Sequence, residues 1–186
     1  MPNEKTLRYV KSILERIDDI ETACRENGGV VKALDTKISQ SAIMLYLMRI
    51  HQQIEKLQKQ GETAVLNLIS PDIIEGIKRS RNIAAHDYDS LNFAIIEKTI
   101  RFDLPKIKAE FTQFLKKNKT QNLQTTLKKE LKYYTEHKNS FYEDARLKQE
   151  QTILKIYNEL KSKGEPIDDK SLKLIETIQK AHSKSR

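Results

Sequence analysis

The sequence predicts an all-α protein, in which an up-down bundle of four main helices precedes a helical C-terminal extension. Glycine and proline are few, at five and four in 186 residues, which favours helix over sheet. Apolar residues recur at three- and four-residue spacing, and no period-two alternation is long enough to indicate a sheet. The 38% of hydrophobic residues can bury one moderate core, with an appendage.

The first two helices are predicted from long amphipathic stripes. One runs over about Glu4–Asn27 and stops at Gly28-Gly29. The next runs over about Asp35–Gln60, with Gly61 after it. Its first half is apolar almost all round, which indicates either a central helix or one with a face against a second subunit.

The third helix is predicted to begin at Ser70-Pro71-Asp72. Ser70 suits the N-cap, Pro71 suits the first helical position and Asp72 complements the helix dipole. A fourth helix is predicted from near Ser90 to Phe114, and Pro105 is expected to kink or divide it.

The composition changes to Lys, Gln, Asn and Thr from about residue 116, which predicts a bundle domain over 1–117 and an extension over 118–186. Helical patterns with thin apolar stripes continue through the extension, interrupted at Lys163-Gly164-Glu165-Pro166. These helices are expected to pack on the bundle, to pair with another chain or to order on binding a ligand.

The excess positive charge lies in the C-terminal part. Residues 1–105 contain 15 Lys/Arg and 15 Asp/Glu, whereas residues 106–186 contain 19 and 11, which accounts for the net charge of +8. A neutral body with a basic extension is typical of proteins that attract a polyanion such as RNA. A lysine-rich helix surface that only contacts water explains the charge equally well.

Membrane insertion and disulfide stabilisation are not expected. No run approaches the roughly 18 apolar residues needed to cross a bilayer, and the N-terminus lacks an apolar signal region. The single cysteine, Cys24, occupies an apolar position of the first helix, where core packing is favoured over a reactive thiol. A soluble cytoplasmic protein is therefore expected.

Three different chemistries meet at the end of the third helix, in the run from Arg81 to Tyr88. Arg81 follows Ile74 and Ile77 on the apolar stripe, whereas Arg79 is predicted to lie beside Glu75 on the solvated face. His86 and Tyr88 then add an imidazole and a phenol. A cation on a stripe that faces the core requires a partner or a function.

Four residues separate Arg81 from His86, and one residue separates His86 from Tyr88. This spacing resembles the R-x4-H-x-Y signature of HepT-type proteins of the HEPN superfamily. The preceding amphipathic helices, the following helix and Leu104-Pro105 also suit that family. The resemblance covers roughly residues 4–117, so it implies nothing about the extension.

The resemblance implies a metal-independent ribonuclease toxin paired with a nucleotidyltransferase antitoxin, with no cofactor. Arg81 and His86 would be the catalytic pair, facing a second copy of the motif across a homodimer. Tyr88 would be the residue on which the antitoxin places AMP. Asn82, next to Arg81, is a candidate RNA contact, although a plain polar surface role also fits.

Metal-independent RNA cleavage gives these residue types plausible tasks. The 2′-OH must lose a proton, charge must be stabilised at phosphorus and the leaving 5′-oxygen must gain a proton. A histidine with a pKa of about 6.5 can transfer protons, and an arginine fork can bind phosphate oxygens. The acid and the base could be two His86 residues from two subunits, or one His86 could act with a bound water. The sequence leaves both arrangements open.

Structural roles are the competing interpretation. Arg81 would then be a buried cation paired with a carboxylate such as Glu55, and His86 would cap the helix C-terminus. Tyr88 would pack, and His51 would be a core or interface histidine. Two other functions compete with the ribonuclease. One is a non-catalytic HEPN module that binds nucleotide or a partner protein, and the other is an adaptor that binds nucleic acid.

Overall fold

The computed structural model describes residues 2–86 and 93–184, except for the side chains of residues 83–86 and 182–184. All regular elements in these residues are helical, which confirms the predicted all-α class. The α-helices are α1 (Glu4–Glu26), α2 (Val30–Asp35), α3 (Lys37–Lys59), α4 (Thr63–Leu66), α5 (Pro71–His86), α6 (Phe93–Lys98), α7 (Leu104–His137), α8 (Glu143–Ser162) and α9 (Asp169–Lys184).

The chain divides into two compact units, Met1–Leu115 and Lys116–Arg186. In the first unit α3 packs against both α1 and α5. The shared core consists of the apolar stripes seen in the sequence, including Ile13, Ile43 and Ile77, all with 0% exposure. Burial of that apolar surface, rather than helix propensity, supplies most of the stability of such helices.

Cys24 lies in this core and is 7% exposed. Burial raises the pKa of its thiol, which keeps it protonated and unreactive near neutral pH. The prediction of a packing residue is confirmed.

A π-helical turn over Thr99–Asp103 separates α6 from α7. Pro105 is the second residue of α7, and a proline nitrogen cannot donate the hydrogen bond that a regular helix would need at this point. The predicted division of the fourth helix near Pro105 is therefore confirmed, with a π turn as its form.

Two features differ from the sequence-based expectation. A separate short helix, α2, precedes α3. In addition, α7 continues without interruption from Leu104 to His137, so the composition change near residue 116 does not end a helix. The reason is that Lys, Gln and Asn are tolerated in helices. A higher frequency of these residues makes fewer positions of the helix apolar but does not end it.

The second unit has its own small core, formed by α7, α8 and α9. Leu127, Ile153 and Ile178 are among its buried members. The Tyr134 hydroxyl donates to Glu150 Oε1 at 2.6 Å, and burial together with this carboxylate raises the pKa of Tyr134 to about 12. Tyr134 is thus a packing residue of this core. None of the described helices combines the length and apolarity needed to cross a bilayer.

Candidate functional site

Helix α5 positions the Arg81 side chain by its helical phase. Ile73 and Ile77 are buried on the face that packs in the core, and Arg81 follows four residues later in a half-buried position. Arg79 is exposed, and its Nε lies 3.6 Å from Glu75 Oε1. The predicted difference between the two arginines is confirmed.

The Arg81 guanidinium has an amide neighbour. Its Nη1 donates to Asn82 Oδ1 at 3.0 Å, and Asn82 is exposed. Within residues 2–86 and 93–184, no carboxylate lies at ion-pair distance from Arg81, and Glu55 lies beside His51 instead. The alternative of an Arg81–Glu55 ion pair is therefore not observed.

His86 is the last residue of α5, so its backbone lies at the C-terminal end of that helix. Its side chain is not among those described, and Tyr88 lies outside the described residues. Arg81 and Asn82 are thus brought together, while the roles of His86 and Tyr88 remain predictions.

His51 lies on α3, the helix that packs against α5, and the sequence did not single it out as functional. It is 6% exposed, and its Nδ1 is 3.8 Å from Glu55 Oε2, too far for a hydrogen bond. Burial lowers the pKa of its imidazole; Glu55 acts to raise this pKa, and Arg81 acts to lower it. The positive charge of Arg81 on α5 therefore disfavours the protonated form of His51 on α3.

A buried polar cluster joins α5 to the π turn. Ser80 Oγ donates to the Gly76 carbonyl oxygen at 3.0 Å and lies 3.0 Å from Thr99 Oγ1. Asp103, 7% exposed, has its pKa raised by burial. A Cβ at Gly76 would lie 3.1 Å from Asp103 Oδ2, so glycine permits this close approach. These contacts fix the helix that carries Arg81.

Comparison with known families assigns the first unit. Residues 13–114, more than half of the chain, match the family model described as Ribonuclease HepT-like. The chain belongs to the HepT-like ribonuclease family. The resemblance inferred from the motif is confirmed at this level.

The HepT-like match contains α3, α5 and the whole run from Arg81 to Tyr88, and it ends before residue 115. Neither the curated proteins nor the solved structures provide a match to the chain. The unit Lys116–Arg186 is therefore left to be interpreted from its own residues.

Proposed function

We propose that this HepT-like protein is the metal-independent endoribonuclease toxin of a toxin-antitoxin pair. The observation that carries the proposal is the half-buried Arg81, whose charge is not neutralised by any described carboxylate. Such a cation favours an anionic ligand, and an RNA phosphodiester is the ligand that a ribonuclease of this family requires.

Arg81 and His86 divide the chemistry between them. The Arg81 fork contacts the non-bridging phosphate oxygens and stabilises the charge that develops on them in the transition state. His86 removes the proton of the 2′-OH or protonates the 5′-oxygen that leaves. Asn82 holds Arg81 through its side-chain oxygen and is a further candidate contact to RNA.

Two protein copies complete the site in this proposal. In a homodimer with facing motifs, one His86 acts as base and the other as acid. In the other arrangement a single His86 works with a bound water. Mixing wild-type and His86→Ala subunits distinguishes them, because heterodimers are inactive only if both histidines are required.

The direct test is cleavage of single-stranded RNA by the purified full chain in excess EDTA. We expect cleavage to persist, with 2′,3′-cyclic phosphate ends, because the 2′-OH is the nucleophile and no metal is required. Binding of RNA without any cleavage would favour the non-catalytic HEPN module instead.

We further propose that an AMP group on Tyr88 switches the toxin off. The phenol oxygen would attack the α-phosphorus of ATP, with loss of its proton and release of pyrophosphate, catalysed by a nucleotidyltransferase antitoxin. Tyr88 follows His86 by two residues, so the added phosphate would place negative charge near the position where RNA phosphate binds.

Co-expression with the cognate nucleotidyltransferase is expected to add one or more AMP groups to the wild-type chain and none to Tyr88→Phe. The reason is that phenylalanine keeps the ring but lacks the acceptor oxygen. Intact-mass spectrometry measures the addition, and Tyr46→Phe serves as the control. An unchanged pattern in Tyr88→Phe would place the modification elsewhere.

The C-terminal unit is proposed to recruit RNA through charge and stacking. Residues 116–186 contain 17 Lys/Arg and 10 Asp/Glu. On α7, Tyr133 is 48% exposed and its ring stacks on His137, with centroids 4.4 Å apart, between the exposed Lys129, Lys132 and Lys138. Exposed aromatic rings among lysines suit single-stranded RNA.

Changing Lys129, Lys132 and Lys138 together to glutamine is expected to weaken RNA binding and to lower the salt slope of log K by about two, at roughly 0.7 per phosphate contact. Fluorescence anisotropy across a salt series measures both. The control changes Lys5, Lys11 and Lys37, which are exposed positions of the first unit. Identical slopes in both triple variants would support the solvated-surface alternative.

A further inference from the structure

His51 combines deep burial with an unused polar atom. Its Nδ1 is enclosed and has no hydrogen-bond partner among the described residues. Arg16 Nε is also enclosed without a hydrogen bond, but it lies 3.1 Å from Asp19 Oδ2 and so has a charged partner. Polar atoms buried in a core are normally bonded, so an idle Nδ1 on α3 requires an explanation.

Among the described residues, the charges that act on His51 come from α3 and from α5, which packs against it. Glu55 lies on its own helix, and α5 contributes Glu75, Lys78 and Arg81. Burial and the two cations act against a charged imidazole, while the two acids act in its favour. In the protein without ligand, burial has the largest effect and the pKa of His51 is lowered, so the ring is neutral near pH 7.

An anion at Arg81 would change this balance. The negative charge of a phosphate there offsets the positive charge of Arg81. The effect by which Arg81 lowers the pKa of His51 becomes smaller, so the imidazole is protonated more readily. Glu55 then becomes the partner of the charged ring. Its side chain is 43% exposed, and its Oε2 has only to close from 3.8 Å to hydrogen-bond distance.

We propose that His51 is a phosphate-responsive residue of the RNA site, which takes up a proton from solvent when an RNA phosphate binds at Arg81 and then pairs with Glu55. The inference rests on the proposed function, because it needs RNA phosphate at Arg81. His51 is a positioning residue here: its charge retains the phosphodiester beside Arg81, whereas the bond-breaking proton transfers belong to His86.

The experiment follows the imidazole itself by NMR pH titration of the full chain, with and without a saturating 2′-O-methyl oligoribonucleotide, which lacks the nucleophilic hydroxyl. His51→Gln assigns the resonance. We expect the pKa of His51 to lie below 6.5 in the free chain and to rise in the complex. Glu55→Gln is expected to diminish that rise, and Glu26→Gln, at an exposed position of α1, leaves it unchanged.

Binding affinity gives a second measurement. In a His86→Ala background, which removes the titration of His86, affinity for the oligonucleotide is expected to increase from pH 8 to pH 5.5. Each unit by which the pKa of His51 is higher in the complex than in the free chain corresponds to an increase of up to about tenfold. His51→Gln in the same background is expected to lose this increase, while His182→Gln retains it.

An unchanged pKa of His51 in the saturated complex, or equal pH dependence with and without His51, would overturn the inference. The result separates it from the proposed function. If the chain cleaves RNA but the pKa of His51 does not change on binding, the ribonuclease proposal stands and the inference about His51 is wrong. If the pKa of His51 changes but the chain never cleaves RNA, the inference stands and the ribonuclease proposal is wrong. Absence of oligonucleotide binding counts against both.

Discussion

His86→Ala is expected to lower the rate of RNA cleavage by about 10²–10⁴-fold, the range for loss of a general acid or base. His86 is the last residue of α5, beyond the buried Ile73 and Ile77 that anchor this helix. Growth inhibition on expression should disappear with the cleavage activity. The measurement is single-turnover cleavage of a labelled single-stranded RNA.

Loss of a protein fold must be distinguished from loss of chemistry in this variant. Thermal unfolding and the native mass should match the wild type, and RNA binding should persist because Arg81 remains. His182→Ala removes an imidazole from α9 and should cleave normally. Toxicity of His86→Ala equal to that of the wild type would exclude His86 from the chemistry.

The helices could be predicted because their information is local. The stripe from Ile43 to Leu57 on α3 and the start of α5 at Pro71 depend on periodicity and on the conformational limits of single residues. The continuous α7 could not be predicted from composition, because the shift near residue 116 reflects a change in what the helix packs against.

The site shows the same division between local and long-range information. Helical phase distinguishes Arg81 from Arg79 within one helix, and the structure agrees. The field of Arg81 on His51 arises from packing between α3 and α5, some 30 residues apart in sequence, which no spacing rule encodes. The contact of Ser80 with Thr99 also arises from packing between separate elements, so sequence spacing does not predict it.

Arg81→Ala is expected to lower the cleavage rate by about 10²–10³-fold, the cost of losing one group that stabilises transition-state charge. Arg79→Ala, two residues earlier on the same helix, provides a matched control. Both changes remove one guanidinium and gain the helix propensity of alanine. Arg79 is exposed and pairs with Glu75, and exposed pairs of this kind contribute at most about 1 kcal/mol to stability, so its variant should cleave normally.

Arg81→Lys makes the comparison stricter, because it restores the charge without the planar fork. If the bidentate geometry matters, this variant should remain well below wild-type activity while binding RNA nearly as tightly. Single-turnover rates and anisotropy on the same RNA separate the two effects. Equal losses for Arg79→Ala and Arg81→Ala would mean that α5 contributes only its net charge, and the assignment of Arg81 as the phosphate ligand would then be wrong.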